Sequence, residues 1–273
     1  MTQALARTDF TVRRLGGTFG AEITGLDLSA RLDETTVDAL RRTFLEHCVL
    51  VFPGQGHLTP AQQAAFASRW GELQLMPEGS PVLGGQREVF VLDFEGRKPP
   101  TDVWHSDLTL TVRPPMATVL LGRVIPIGGD TLFASQYLAY EAFSDGMKAM
   151  LEGLRAVHTG KYWAKNGTTF EEDELPRSAH PVVRTHPETG RRALYVNSAY
   201  TSHFEGMTVE ESRPLLDWLC SHSVQPNFTF RHRWSEGDLL MWDNRCLQHF
   251  AVADYGSARR VMHRVVILGD EPR

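Results

Sequence analysis

Cysteine is scarce in this chain: three residues in 273, at Cys48, Cys220 and Cys246. An odd number of widely spaced thiols makes no disulfide framework, and the expected compartment is reducing and cytoplasmic. Long apolar runs are also missing. The longest, CVLVF at Cys48–Phe52 and VVIL at Val265–Leu268, fall far short of a membrane span. The N-terminus carries Arg7 and Asp9 where a secretory signal would need an apolar stretch. Positive charge is not in excess, since 28 Lys and Arg face 33 Asp and Glu for a net charge of −5. That balance argues against a nucleic-acid partner. No internal repeat and no low-complexity segment interrupts the chain, so neither a solenoid nor a linker-joined array is expected.

What is present is ordinary globular material, 42% hydrophobic and 22% charged, enough for a core without staples. Residues 10–30 read as short strands around a Gly-rich turn. Asp33 is placed to cap a helix running to about His47, and Cys48–Phe52 reads as a buried strand. Thr59, Pro60 and Gln62 form a capping-box start for a helix that continues to about Trp70. Strands are then expected at Val89–Asp93, Ala117–Val124, Val182–Thr185, Ala193–Asn197, Phe228–Trp234, Leu239–Trp242 and Val261–Leu268. One helix is expected over Tyr137–Glu152, with Ser144 capping its second half. Another lies within Thr208–His222, started either by Thr208 with Glu211 or by Ser212. Strands outnumber helices and do not alternate with them, which favours a sandwich or jelly-roll barrel flanked by helices. Residues 1–273 read as a single domain, and the polar stretch around 159–181 reads either as a lid or as a solvated surface insertion.

Three elements carry the chemistry. In Trp104-His105-Ser106-Asp107, a His and an Asp two residues apart share one face of an extended segment. In Trp242–His249, a strand runs into a polar turn and delivers His249. Together they supply two imidazoles and a carboxylate, a set typical of non-haem Fe(II) oxygenases that also suits hydrolytic zinc, so the ligands alone leave the metal open. The third element is ARRVMHRVVIL, which reads as a strand with both faces buried. Arg260 and Arg264 share a face with Met262. Two inward guanidiniums need two anions, which arginine binds bidentately. The expected partner is a small anionic molecule.

These residues resemble the taurine/dichlorophenoxyacetate dioxygenase family of Fe(II)- and 2-oxoglutarate-dependent oxygenases. The resemblance runs through GAEITGLDL at 20–28, VLVFPGQ at 49–55, WHSD at 104–107, GGDTLF at 128–133, HPVVRTHPETG at 180–190, LYVN at 194–197, WDNRCLQH at 242–249 and RRVMHRVVILGD at 259–270. It implies a mainly β fold with flanking helices around a double-stranded β-helix, the cupin-like jelly roll. It implies iron held by His105, Asp107 and His249, with 2-oxoglutarate and O2 consumed and succinate and CO2 released. Thr131 and Arg260 then resemble the anchors of the distal carboxylate of 2-oxoglutarate, and Arg264 the residue that holds the anionic head of the substrate. The family also implies a homo-oligomer, dimer or tetramer. The taurine-cleaving member has a histidine at the place of Met76, and a thioether cannot supply its hydrogen bond. Met76, Trp163 and Tyr200 are the expected substrate contacts. LYVNSAYTSHFEGMT is similar to the phenoxypropionate-cleaving members, which implies an aryloxyalkanoate or related aromatic carboxylate. An alkylsulfonate or sulfate ester, or an amino-acid-like substrate, is the alternative.

Overall fold

Apolar residues alternating along short segments build most of this chain into strands. The structure is a computed structural model and describes residues 10–77, 82–95, 101–162 and 176–273. With strands numbered along the chain, the largest sheet has seven. Its order is β1 (Thr11–Arg14), β2 (Ala21–Thr24), β3 (Val49–Phe52), β13 (Leu239–Asp243), β5 (Ala117–Val124), β15 (Val261–Ile267) and β4 (Phe90–Asp93). Among the described strands, only β2 and β3 pair in parallel. A three-stranded sheet follows the order β12 (Thr229–His232), β6 (Thr131–Ser135), β14 (Leu247–Ala251). Smaller sheets join β11 (Thr201–Phe204), β7 (Arg155–His158) and β8 (Ser178–Pro181), and β10 (Arg192–Leu194) with β9 (Val183–Thr185).

The pleat explains why β13 is apolar on both sides. Leu240 and Trp242 face Val49, Val51, Leu120 and Met262 of the same sheet together with Phe133 of β6 and Leu247 of β14. This is the layer between the two large sheets. Leu239 and Met241 face the other way, toward Leu40 and Phe44 of α1 (Glu34–His47) and Phe66 of α2 (Pro60–Ala67). Two strand-rich sheets facing each other, with helices on the outside of one, are the jelly roll that the pattern favours. A third apolar cluster packs α3 (Gln136–Glu141), α4 (Asp145–Leu151) and α5 (Val209–Ser223) against β7, β9 and β10.

The helix starts follow their caps. Asp33 accepts from Thr36 N at 2.7 Å, and Thr59 and Gln62 make the reciprocal capping box. Thr208 with Glu211 is the true start of α5, which leaves Pro214 inside the helix. The helix expected to reach Trp70 ends regular α geometry at Ala67. The one expected over Tyr137–Glu152 is two helices, because Ser144 adopts an extended conformation and caps the second. Strand Ala193–Asn197 shortens to β10, and Phe228 belongs to a 3-10 turn rather than to β12. Strands β6, β7, β8, β11 and β14 escaped the sequence pattern; several contain His, Ser or Thr at buried positions, so hydropathy does not mark them. Of the expected lid, Ser178–Pro181 is strand β8, and 163–175, including Trp163, lie outside the described residues.

Candidate metal centre and anion pocket

His105 and Asp107 do not sit on a regular strand. His105 makes a lone antiparallel bridge to His249 of β14, with His105 N donating to His249 O at 3.1 Å and His249 N to His105 O at 2.7 Å. Asp107 lies in the turn that follows, where Leu108 takes a positive φ of 48°. A bridge and a turn thus replace the extended segment expected to carry both residues, and the bridge lays the imidazoles of His105 and His249 side by side, ring centres 4.1 Å apart. Asp107 Oδ1 stands 3.9 Å from His105 Nε2 and 3.8 Å from His249 Nε2. Those three donor atoms form the buried metal-sized cluster found among the described residues.

Each donor is held by a neighbour. His105 Nδ1 donates to Val103 O at 2.8 Å, which leaves Nε2 as the lone-pair nitrogen. Asp107 Oδ2 accepts from Thr118 Oγ1 at 2.6 Å and from Asn244 Nδ2 at 3.3 Å. Oδ1 is thereby the oxygen that faces the imidazoles. Asn244 Oδ1 in turn accepts from Asp107 N and from Trp242 Nε1. Neither Thr118 nor Asn244 stood out in the sequence. Asn244 lies inside the quoted WDNRCLQH motif, but nothing local says that it faces a residue 137 positions earlier.

The protonation states suit a cation. Burial pushes the His105 imidazole down and that of His249 to about 3, the neighbouring His105 adding to the second. Burial drives the Asp107 carboxyl up, but His249, Arg264, His105 and the Thr118 hydroxyl outweigh it and hold the carboxyl at about 2. Neutral imidazoles and an ionised carboxylate are the ligand forms of these residues. His249 Nδ1 is buried without a protein partner among the described residues.

Beyond the ligands lie the two arginines. Arg264 on β15 is close enough to influence all three ligand residues electrostatically, and its guanidinium lies 5.5 Å from the centre of the Phe90 ring. Arg260 just precedes β15, and the strand bulges against β5 between Val261 and Met262. It is buried, only 4% exposed, and lies 5.9 Å from the centre of the Trp234 ring. Nε of each arginine is buried and unpartnered, and no described carboxylate makes a salt bridge to either. Burial lowers the Arg260 pKa, with Tyr255 and Asp130 opposing. Buried, unneutralised guanidiniums are costly unless an anion joins them.

Thr131 opens β6 and meets the same Trp234 ring system that Arg260 lies over. Its Oγ1 accepts from Trp234 Nε1 at 2.9 Å, which leaves the hydroxyl hydrogen available to a ligand. The turn before it needs its glycines: Gly128 and Gly129 have φ of 88° and 72°, and a Cβ on Gly129 would come within 3.2 Å of Arg260 Nε. Tyr200 is buried with its ring centre 6.5 Å from that of His105, in a cluster with Leu110, Ala199, Val103 and Tyr162. Met76 is half-buried. Its carbonyl accepts from Arg87, and no described contact joins its side chain to the ligand residues.

Comparison with known proteins agrees with this geometry. The family model "Taurine catabolism dioxygenase TauD, TfdA family" matches residues 11–266. The alpha-ketoglutarate-dependent sulfate ester dioxygenase of Pseudomonas putida is 34% identical, over 97% of this chain and 91% of that relative. The alpha-ketoglutarate-dependent 2,4-dichlorophenoxyacetate dioxygenase of Cupriavidus pinatubonensis is 35% identical, over 92% of this chain and 95% of the relative. A taurine dioxygenase from Burkholderia xenovorans superposes with a TM-score of 0.84 at 35% identity, covering 97% of this chain and 92% of that one. With the family model spanning nearly the whole chain and the fold shared, this chain belongs to the taurine catabolism dioxygenase TauD, TfdA family.

Proposed function

We propose that the chain is an Fe(II)- and 2-oxoglutarate-dependent dioxygenase that hydroxylates a small anionic organic substrate and releases succinate and CO2. One observation carries the reading: a buried His105–Asp107–His249 cluster with two arginines that no described carboxylate pairs with, Arg264 on β15 and Arg260 just before it. His105, Asp107 and His249 hold the metal in this reading, and their donor chemistry suits Fe(II) with positions left open. When bound, the iron supplies dioxygen activation coupled to decarboxylation of 2-oxoglutarate. Arg260 and the Thr131 hydroxyl take the distal carboxylate of the cosubstrate. Arg264 takes the substrate's anionic group, and Tyr200 borders its organic part. Where the hydroxylated carbon bears an ether or ester oxygen, the product collapses and the bond breaks.

The substrate read here is an aryloxyalkanoate or similar aromatic carboxylate, supported by the buried Tyr200 beside His105. A sulfate ester is the second reading, favoured by the Pseudomonas putida relative. A lid over 159–181 accords with Tyr162 packing against the Tyr200 cluster, and self-association as a dimer or tetramer rests on the family alone. Among the described residues no helix is long and apolar enough to cross a membrane.

The test is substrate-stimulated succinate formation across aryloxyalkanoates, sulfate esters, sulfonates and amino acids, with and without oxygen. Turnover that needs neither oxygen nor 2-oxoglutarate would point to a hydrolase instead. Arg260→Ala is expected to weaken 2-oxoglutarate binding more than a hundredfold, since breaking a buried charge pair costs roughly 3–5 kcal/mol. Arg264→Ala should spare that constant and impair the prime substrate. The reverse pattern in paired titrations would show the two arginines assigned the wrong way round.

A further inference from the structure

Arg260 is a buried cation waiting for an anion, yet an acid of the protein stands beside it. Asp130 follows Gly129, whose backbone packs directly on the Arg260 side chain, and the carboxylate of Asp130 acts electrostatically on Arg260. Asp130 is itself buried, with its side chain only 4% exposed. A buried carboxylate needs a cation, and Arg231 of β12 supplies one: it reaches over from the solvent side and donates Nε to Asp130 Oδ2 at 2.6 Å. Nη2 of Arg231 also lies 3.9 Å from Asp254 Oδ2, and Asp254 Oδ1 accepts from Gly129 N at 2.7 Å. Arg231 therefore bridges Asp130 and Asp254, the second of which grips the turn through Gly129 N, from a side chain that is 53% exposed.

We propose that Arg231 is a positioning residue for the cosubstrate: by holding Asp130 it keeps that carboxylate from occupying Arg260 in place of the distal carboxylate of 2-oxoglutarate. This rests on the assignment of Arg260 to 2-oxoglutarate. Competition of this kind divides the protein between a competent form and a self-paired form, and the apparent Kd rises by the inverse of the competent fraction. If removal of Arg231 leaves about one molecule in ten competent, 2-oxoglutarate binds about tenfold more weakly.

The experiment is anaerobic calorimetry of 2-oxoglutarate binding to the full chain loaded with Mn(II), with thermal melts to confirm folding. Arg231→Ala should raise Kd about tenfold. Asp130→Asn, which removes the competitor, should bind as tightly as the parent or more so. The double variant Arg231→Ala/Asp130→Asn should return to the Asp130→Asn value. That rescue is the decisive outcome, because a merely structural role for Arg231 would leave the double variant as weak as the single one. An unchanged Kd for Arg231→Ala, or a double variant that stays weak, overturns the proposal. Arg260→Ala serves as the control: if it leaves Kd unchanged, the assignment of Arg260 fails and the proposal with it. Loss of binding in Arg260→Ala with no effect of Arg231→Ala overturns the proposal alone.

Discussion

At the scale of single residues, the metal centre depends on side chains that do not themselves face the metal. Asp107 has two oxygens, and the structure decides which one meets the imidazoles by tying Oδ2 to Thr118 and Asn244. A carboxylate freed from those bonds rotates, and the open positions that oxygenase chemistry needs are no longer assured. Asn244→Ala and Thr118→Val should each lower Fe(II) affinity by roughly 10–100-fold while the fold is kept. Anaerobic metal titration of the apoprotein measures this, and wild-type affinity in both variants would show that Asp107 is oriented by the metal alone. The candidate ligands His105, Asp107 and His249, which the fold brings together, were picked out by residue type and spacing, and so were both arginines. Thr118 was not: it is a threonine in an apolar strand, and only the tertiary structure brings it within 2.6 Å of Asp107.

At the scale of elements, His249 reaches the site because the turn between β13 and β14 is held by a buried ionic network. Arg245 donates to Asp243 at 2.8 and 2.7 Å and to Glu188 at 2.7 Å. His186 Nε2 lies 3.1 Å from Asp243 Oδ2. Burial raises the Asp243 carboxyl, but Arg245 and His186 overcome it and set it well below its ordinary range. Arg245→Ala leaves Asp243 charged and uncompensated in the interior, a loss of roughly 3–5 kcal/mol. Urea unfolding of the variant should show it, and replacing both residues with apolar ones of similar volume should recover much of the loss. The end of β13 at this turn was readable from the sequence, since a strand running into Asp-Asn-Arg has nowhere to continue. The network was not, because Glu188 and His186 come from a turn far away along the chain.

At the scale of the whole molecule, buried neutral histidines contribute to the loss of stability in acid. His158 is fully buried against Thr109 and His180, and burial, with His180 adding, lowers it to about 3. His180 is lowered in the same direction, chiefly by burial. In the unfolded chain each takes up a proton near pH 6.5. Between pH 6.5 and about 3 the unfolded state therefore binds protons that the folded state refuses, and stability falls as pH falls. For His158 the loss by pH 5 is about 2 kcal/mol. His158→Asn should flatten the dependence of unfolding free energy on pH by about one proton in that window, and equal slopes for parent and variant would remove His158 from the account.

Residue types and periodicities are local, and local physics was enough to establish the capped helices α1 and α2, the paired-sheet architecture, and the candidates His105, Asp107, His249, Arg260 and Arg264. The interval between residues that must meet is not local. Whether His105 lies beside His249 depends on two backbone hydrogen bonds across the sheets, and whether Asn244 reaches Asp107 depends on a turn register 137 residues away. The same holds for Arg231, whose alternation with Phe230 and His232 reads only as an exposed strand position. The β12–β6 pairing sets Arg231 opposite Leu132 and brings it to Asp130. Hydropathy fixes which face a side chain occupies, because burial is energetically large and alternates with the pleat. It carries no record of which partner waits on that face, and only the tertiary register decides that.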